Sequence, residues 1–298
     1  MPNLPNTFAL LEADEADYRT SGAAILPVPF ERTTSYGKGT GAGPVAILQA
    51  SQALELWDEE LNSEPFAQGI ATLPAFSPES FDLADALAEI EAEAFRHLTN
   101  GKFLVTIGGE HSLTQAPARA TRQAAGEEIG IVQFDAHADL REAYDGTPYS
   151  HASVMRRLVD DGFPSLAVGL RSLSTPEAAL IEERQLPVLW GHELEASDRA
   201  LKRFTDLLDT LPEAVYLTFD VDFLDPSLMP STGTPEPGGG TWYPTLALLR
   251  RLFERKRVLA MDVVELAPIG GFHAPDFLAA KLIYKCLGYL QLREAGRR

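Results

Sequence analysis

The chain has a single cysteine, Cys286, in 298 residues. That excludes an intrachain disulfide and a structural zinc site built on paired thiolates, and it fits a reducing compartment. No stretch approaches ~18 consecutive apolar residues, so no transmembrane helix is expected. The opening MPNLPNTFALLEADEAD has neither a basic n-region nor a long apolar core. A secretory signal is therefore not expected, and a cytoplasmic protein is. Basic side chains are in short supply: 25 Lys and Arg stand against 43 Asp and Glu, a formal net charge of −18. Such a surface repels phosphate backbones and anionic lipid, which argues against nucleic acid and membrane as main partners. It leaves room for a small cationic ligand. Internal repeats, low-complexity tracts and a domain-splitting linker are lacking too, so residues 1–298 read as one domain.

What is present is a globular composition, with 45% hydrophobic residues, enough for a sizeable core. Short apolar runs alternate with helical patterns, the βαβ signature of a parallel sheet covered by helices on both faces. The strands are expected at Ala23–Val28, Ile70–Leu73, Lys102–Ile107, Ile129–Phe134, Leu166–Leu170, Pro187–Trp190, Val215–Phe219 and Val258–Val264. Helices are expected at Pro44–Leu54, Glu79–Thr99, Thr175–Arg184, Leu194–Leu211, Pro244–Glu254 and Pro275–Leu292.

Sheets of this kind bind ligands beyond the carboxyl ends of their strands. Four strands deliver ionisable groups there: GGEHS with His111, DAHAD with Asp135, His137 and Asp139, DVD with Asp220 and Asp222, and DVVE with Asp262 and Glu265. Alternate positions of an extended segment point the same way, so each of DAHAD and DVD aims its polar groups at one spot. Carboxylates packed together where a strand leaves the core are costly unless a cation compensates them. Two imidazoles and four carboxylates exceed what one divalent ion needs and suit two ions about 3.5–4 Å apart. Oxygen-rich ligands with some imidazole favour Mn2+, with Fe, Co, Ni and Zn left open.

GGEHS, DAHAD, DVDFLDPS, TGTPEPGG and MDVVE, in that order, resemble the ureohydrolases, the arginase and agmatinase family. PVPFERTTSYGKGTGAGP is similar to that family's opening strand and loop. The resemblance implies a three-layer α/β/α fold with an eight-stranded parallel sheet, and two Mn2+ per subunit. One ion would sit on His111, Asp135, Asp139 and Asp220, the other on Asp135, His137, Asp220 and Asp222. It also implies that His151, in YSHAS, shuttles protons and that Glu265 pairs with a substrate guanidinium. Asp139 would pass a proton to the leaving amine, and Asp262 would support the centre. TGTPEPGGG would lie by the active site, with Glu236 in reach of substrate. A homotrimer or homohexamer is expected on the same ground.

Between DAHAD and His151 the chain reads DLREAYDGTPYS, where arginases have an asparagine pattern; Arg141 and Tyr149 stand in place of asparagines. These departures and TGTPEPGG favour agmatine over arginine, giving putrescine and urea. Tyr149 is then a substrate-binding candidate, and Arg141 is expected to point away from a cationic tail. Guanidinobutyrate, guanidinopropionate, guanidine and formiminoglutamate stay open as substrates. A non-catalytic relative would be marked by a lost ligand, and none is lost; a deacetylase of related fold would need one zinc and fewer carboxylates. His97, His192 and His273 match no motif and read as surface or packing residues. The Gly-Lys of SYGKGTGAGP lacks the spacing of a phosphate loop.

Overall fold

The computed structural model describes residues 7–195 and 197–295. Eight strands form one parallel sheet: β1 (Ala23–Val28), β2 (Ile70–Thr72), β3 (Phe103–Gly108), β4 (Gly130–Phe134), β5 (Ser165–Leu170), β6 (Val188–Trp190), β7 (Ala214–Asp220) and β8 (Arg257–Val264). Their order across the sheet is β2-β1-β3-β8-β7-β4-β5-β6. The strands read as continuous apolar runs because both faces of the sheet are covered. Every residue of β1, β4 and β7 is buried.

Eight helices cover the faces among the described residues: α1 (Gly43–Ser51), α2 (Leu83–Thr99), α3 (Gln115–Ala125), α4 (Val154–Asp160), α5 (Thr175–Arg184), α6 (Ser197–Leu208), α7 (Trp242–Arg255) and α8 (Ala274–Ala295). Side chains alternate along each strand, so one core forms on each side of the sheet. Ile47, Phe204, Leu249 and Ile283, from α1, α6, α7 and α8, share a cluster with Ile25 and Val132. Ile90, Ala118, Leu158 and Ile181, from α2 to α5, share the other with Leu26 and Ile131. The expected three-layer arrangement is the one observed.

Helix starts follow local chemistry. The chain enters α2 at Leu83 rather than at Glu79, because the Asp82 carboxylate accepts the backbone N–H groups of Ala84 and Asp85 at 2.9 and 3.1 Å. At α5, Ser174 and Glu177 form a capping box, with the Ser174 N–H 2.7 Å from Glu177 Oε2. The other Glu177 oxygen accepts the N–H of Leu140 at 3.0 Å, which ties the segment after β4 to this helix. Two helices, α3 and α4, had no counterpart in the expected set.

The order of strands decides where chemistry can gather. β3, β8, β7 and β4 are consecutive neighbours at the middle of the sheet. Their carboxyl ends are the four that carry the ionisable motifs, so groups 154 residues apart in sequence meet at one edge, as His111 N and Glu265 Oε1 do.

Candidate metal centre and substrate cavity

His111 is the centre of the cluster. Its side chain is 1% exposed, and Nδ1 lies 3.1 Å from Asp135 Oδ2, 3.1 Å from Asp139 Oδ2 and 3.3 Å from Asp220 Oδ2. Its other nitrogen, Nε2, is 2.9 Å from Thr218 Oγ1. The hydroxyl of Thr218 donates to Asp262 Oδ1 at 2.7 Å, so it can only accept from His111. The neutral ring therefore carries its proton on Nε2. The lone pair of Nδ1 is left facing three carboxylate oxygens, with no hydrogen-bond partner of its own. Acceptor against acceptors is repulsive at this distance, and a cation between them reverses the sign.

A second trio adjoins the first. His137 Nδ1 is 2.8 Å from Asp222 Oδ2 and 3.8 Å from Asp135 Oδ1. Backbone donors aim these carboxylates: His137 N–H donates to Asp135 Oδ1 at 2.6 Å, Ala136 N–H to Asp222 Oδ1 at 2.9 Å, and Asp222 N–H to Asp220 Oδ1 at 2.8 Å. His111, Asp135 and Asp139 can hold one ion and Asp135, His137 and Asp222 another, with ligand atoms in each trio within 4.8 Å of one another. The residues present fit two divalent cations sharing Asp135.

The protonation of the cluster without cations tells the same story. Burial, with Asp222 and Asp139 beside it, pushes Asp135 up to about 7. Burial and the same kind of neighbours push Asp220 well above the carboxylate range. For Asp222 burial acts upward, but His137 outweighs it and holds the group below its ordinary value. Burial opposes charge on both imidazoles. The surrounding carboxylates overcome it, taking His137 to about 11 and His111 well above its ordinary value.

Glu265 follows β8 and is 8% exposed. Burial pushes its carboxyl up to about 8, with Glu110 adding to the effect and the His111 N–H, 2.6 Å from Oε1, opposing it. Glu265 and Asp139 both have left-handed backbones, with φ of 67° and 53°. For non-glycine residues each costs about 1–2 kcal/mol, so the surroundings must hold them. Glu265 N–H is held by Gly109 O at 2.8 Å and Asp139 O by Arg156 N–H at 3.1 Å.

Above the cluster lies a cavity of about 270 Å³. His111, His137, Asp139, Asp220, Asp222 and Glu265 border it, and Thr34–Gly37, Arg141, Tyr144, His151, Ser172–Ser174 and Gly233–Thr234 form its walls. The loop after β1 is folded around Glu31, whose oxygens accept the N–H groups of Gly39 and Gly41 at 2.8 and 2.9 Å. It meets the TGTPEPGGG loop at Gly37 and Gly233, where a Cβ on Gly37 would sit 2.7 Å from the Gly233 Cα. Only glycine allows that contact. Arg171 pins the second loop: its guanidinium donates to the carbonyls of Asp222 at 2.7 Å, Glu236 at 3.0 Å and Pro237 at 3.0 Å.

The structure brings His111, Asp135, His137, Asp139, Asp220, Asp222, Glu265 and His151 to this one place. Glu236 has Oε1 3.8 Å from His137 Nε2 and is not on the cavity wall. Tyr149 is half-buried against the core formed with α2 to α5; the tyrosines on the wall are Tyr36 and Tyr144. Arg141 does not point away. It lines the cavity, with its guanidinium carbon 5.2 Å from the Tyr144 ring centre, because that ring gives the exposed cation a face to rest on. His97 is a packing residue, buried against Tyr18 at 2.8 Å. Arg171, Thr218, Glu110 and Thr33 were given no role from the sequence: Glu110 lies within GGEHS and Thr33 within PVPFERTTSYGKGTGAGP, where neither stands out, and Arg171 and Thr218 lie in no motif.

The model of the arginase family matches residues 21–288 of the chain. The N(1)-aminopropylagmatine ureohydrolase of Synechocystis sp. is 38% identical, over 96% of both chains. The enzyme of the same name from Thermus thermophilus is 39% identical over 92% of both. Among solved structures, the agmatine ureohydrolase of Thermoplasma volcanium superposes with a TM-score of 0.85 at 27% identity, over 95% of each chain.

Proposed function

The chain belongs to the arginase family and is a hydrolase of guanidino C–N bonds, and from that premise we propose that it releases urea from guanidines of the agmatine type. These are agmatine, giving putrescine, and its N-aminopropyl extension. The observation that carries this reading is His111 Nδ1 held 3.1–3.3 Å from three buried carboxylates, beside the buried Glu265, on the floor of one cavity. The relatives' names favour a substrate with an amine tail.

Two divalent ions, with Mn2+ the first choice, would be held by His111, Asp135, Asp139 and Asp220 and by Asp135, His137, Asp220 and Asp222, where they would lower the pKa of water toward 7 or so and neutralise the carboxylates. Glu265 binds the guanidinium. Burial pushes its carboxyl up to about 8 in the ion-free protein, and a cationic guanidinium favours the carboxylate, in a charge-assisted pair. That pair fixes the guanidinium carbon over the cluster, which is the orienting part of the rate gain. Hydrolysis then places oxygen on that carbon and breaks one C–N bond. Asp139, on the cavity floor, takes up a proton, and His151, on the wall, delivers one to the leaving nitrogen. Glu236 steadies the His137 ring. Residues 1–298 act as one catalytic unit, assembled as a homotrimer or homohexamer in the cytoplasm.

The test is urea release by Mn2+-loaded protein from agmatine, N(1)-aminopropylagmatine, arginine and guanidinobutyrate in parallel. Urea from the first two, with kcat/KM at least tenfold above the rest, is expected. Equal or greater rates on arginine or guanidinobutyrate would replace the substrate, and no urea from any would end the proposal.

A further inference from the structure

Glu110 is a charged residue with no place in the mechanism above. It is fully buried, yet no cationic side chain pairs with it among the described residues. Its carboxylate is filled by four donors. Oε2 accepts the backbone N–H groups of Arg32 and Thr33, each at 2.6 Å. Oε1 accepts the hydroxyls of Thr33 at 2.8 Å and Ser112 at 2.5 Å. Backbone N–H groups can only donate, so Oε2 is fixed as an acceptor, and Oε1 accepts the two hydroxyls.

The consequence falls on His151. Thr33 Oγ1 has one hydrogen, and Glu110 holds it. Its lone pairs face His151: the backbone N–H of His151 donates to Oγ1 at 3.0 Å, and the ring Nδ1 lies 3.3 Å away. Ser150 Oγ is also 3.3 Å from Nδ1. With a proton on Nδ1, both oxygens can accept from it. With none, the ring nitrogen and Thr33 Oγ1 turn lone pairs toward each other, and only one of the two contacts can be a hydrogen bond.

We infer that Glu110 and Thr33 are positioning residues that fix the neutral His151 ring with its proton on Nδ1 and the lone pair of Nε2 on the cavity side. Nε2 lies 3.5 Å from Ser35 Oγ, and both residues line the cavity. The ring can then take up and release a proton at Nε2 while the Nδ1–H bond stays unchanged. Proton delivery to the leaving nitrogen needs no exchange of tautomers and no turn of the ring. The inference rests on the role proposed for His151, but the tautomer is a property of the chain that can be read without turnover.

Glu110→Gln separates the two readings of this contact. The amide oxygen keeps the two backbone N–H groups, and the amide NH2 then faces Thr33 and Ser112 as a donor. The Thr33 hydrogen is freed to turn to Nδ1, so the ring proton moves to Nε2. Neutron diffraction from the deuterium-exchanged holoenzyme and from this variant reads the position directly. Deuterium on Nδ1 in the parent and on Nε2 in the variant is expected, with Mn2+ content unchanged. In kinetics, Glu110→Gln and Thr33→Val lower kcat at least tenfold with KM within about twofold, and Thr33→Ser restores it. Deuterium on Nε2 in the parent overturns the inference. So does a kcat loss that comes with metal loss, or one that Thr33→Ser shares. A parent with deuterium on Nδ1 that releases no urea from any guanidine would leave the positioning in place and remove the proposed function instead.

Discussion

Thr218 and Asp262 are cross-strand partners on β7 and β8, and the Thr218 hydroxyl donates to Asp262 Oδ1 at 2.7 Å. Because that hydrogen is committed, Thr218 can only accept from His111 Nε2, and the sheet register itself decides which nitrogen of His111 is free for a cation. Thr218→Val removes the acceptor and leaves a buried N–H unpaired. The expected result is a 10–100-fold weaker hold on the ion bound through His111, as for other partners that orient metal-bound histidines. Thr218→Ser keeps the hydroxyl and should keep the affinity. Titration calorimetry with Mn2+ on the metal-stripped protein checks this, and equal affinity for the valine variant would show that the relay does not orient the ring.

The same cluster gives the metal-free protein a distinctive pH dependence. Asp135 and Glu265 have folded-state pKa values pushed up to about 7 and about 8, and Asp220 is shifted in the same direction. A carboxyl whose pKa is higher folded than unfolded stabilises the fold fully below the unfolded value, about 4, and loses that contribution as pH rises through the folded value. His137, raised to about 11, adds stability that is complete below about 6.5 and is being lost above it. Asp222 acts oppositely but over acid pH alone. The stripped protein should therefore lose Tm steadily from pH 5 to 8. Saturating Mn2+ should raise Tm most at the alkaline end, because ions replace the protons. Thermal melts with and without chelator across that range decide it; a stripped protein that gains stability toward pH 8 would contradict the assignment.

Arg141 predicts a selectivity change. Its guanidinium rests on Tyr144, whose ring in turn meets His151 edge-on at 5.7 Å. No acidic side chain pairs with it among the described residues. A cation at the mouth opposes an amine tail and favours a carboxylate tail. For two charges about 7 Å apart in water the effect is roughly threefold, and salt screens it. Arg141→Ala should lower KM for agmatine by about that factor at low ionic strength and raise it for guanidinobutyrate. Both shifts should shrink in about 0.5 M salt, where screening is shorter than the separation. Changes of the same sign for both substrates would mean that Arg141 acts through packing on Tyr144 rather than through charge.

The ligands were legible because alternation in DAHAD and DVD has one economical explanation, and because buried parallel strands announce themselves as unbroken apolar runs. β2, only three residues at the sheet edge, was still visible in that way. α3 was hidden by its composition: QAPARATRQAA carries a proline and no large apolar residue, and three of its six buried positions are alanines. α4 spans seven residues, too few to show a period. The hydroxyl relays were out of reach for another reason. Thr33 is 77 residues from Glu110, Thr218 is 44 from Asp262, and nothing in a lone threonine distinguishes a relay from a strand or loop position. Strand order creates those contacts, and strand order is not written in any local pattern.

Lys285 offers a test of the fold remote from the chemistry. It lies on α8, 1% exposed, with Nζ 3.0 Å from Asp58 Oδ1 and 2.9 Å from Glu60 Oε2. Glu60 also takes Arg250 at 2.9 Å and the Tyr289 hydroxyl at 2.7 Å. The network fastens the segment before β2 to the last helix. Lys285→Met keeps the volume but strands the Asp58 carboxylate, which is fully buried. Removing one partner of a buried pair typically costs about 3–5 kcal/mol, since the remaining charge is left uncompensated. Asp58→Asn in the same chain removes that charge and should recover part of the loss, because the asparagine oxygen can still accept the N–H groups of Glu60 and Leu61 that Asp58 Oδ1 takes at 3.0 Å. Denaturant melts of the two single variants and the double variant give the coupling. A Lys285→Met variant as stable as the parent would mean that the pair orders α8 without stabilising it, while Mn2+ binding unchanged in all three would confirm that the two ends of the molecule are energetically separate.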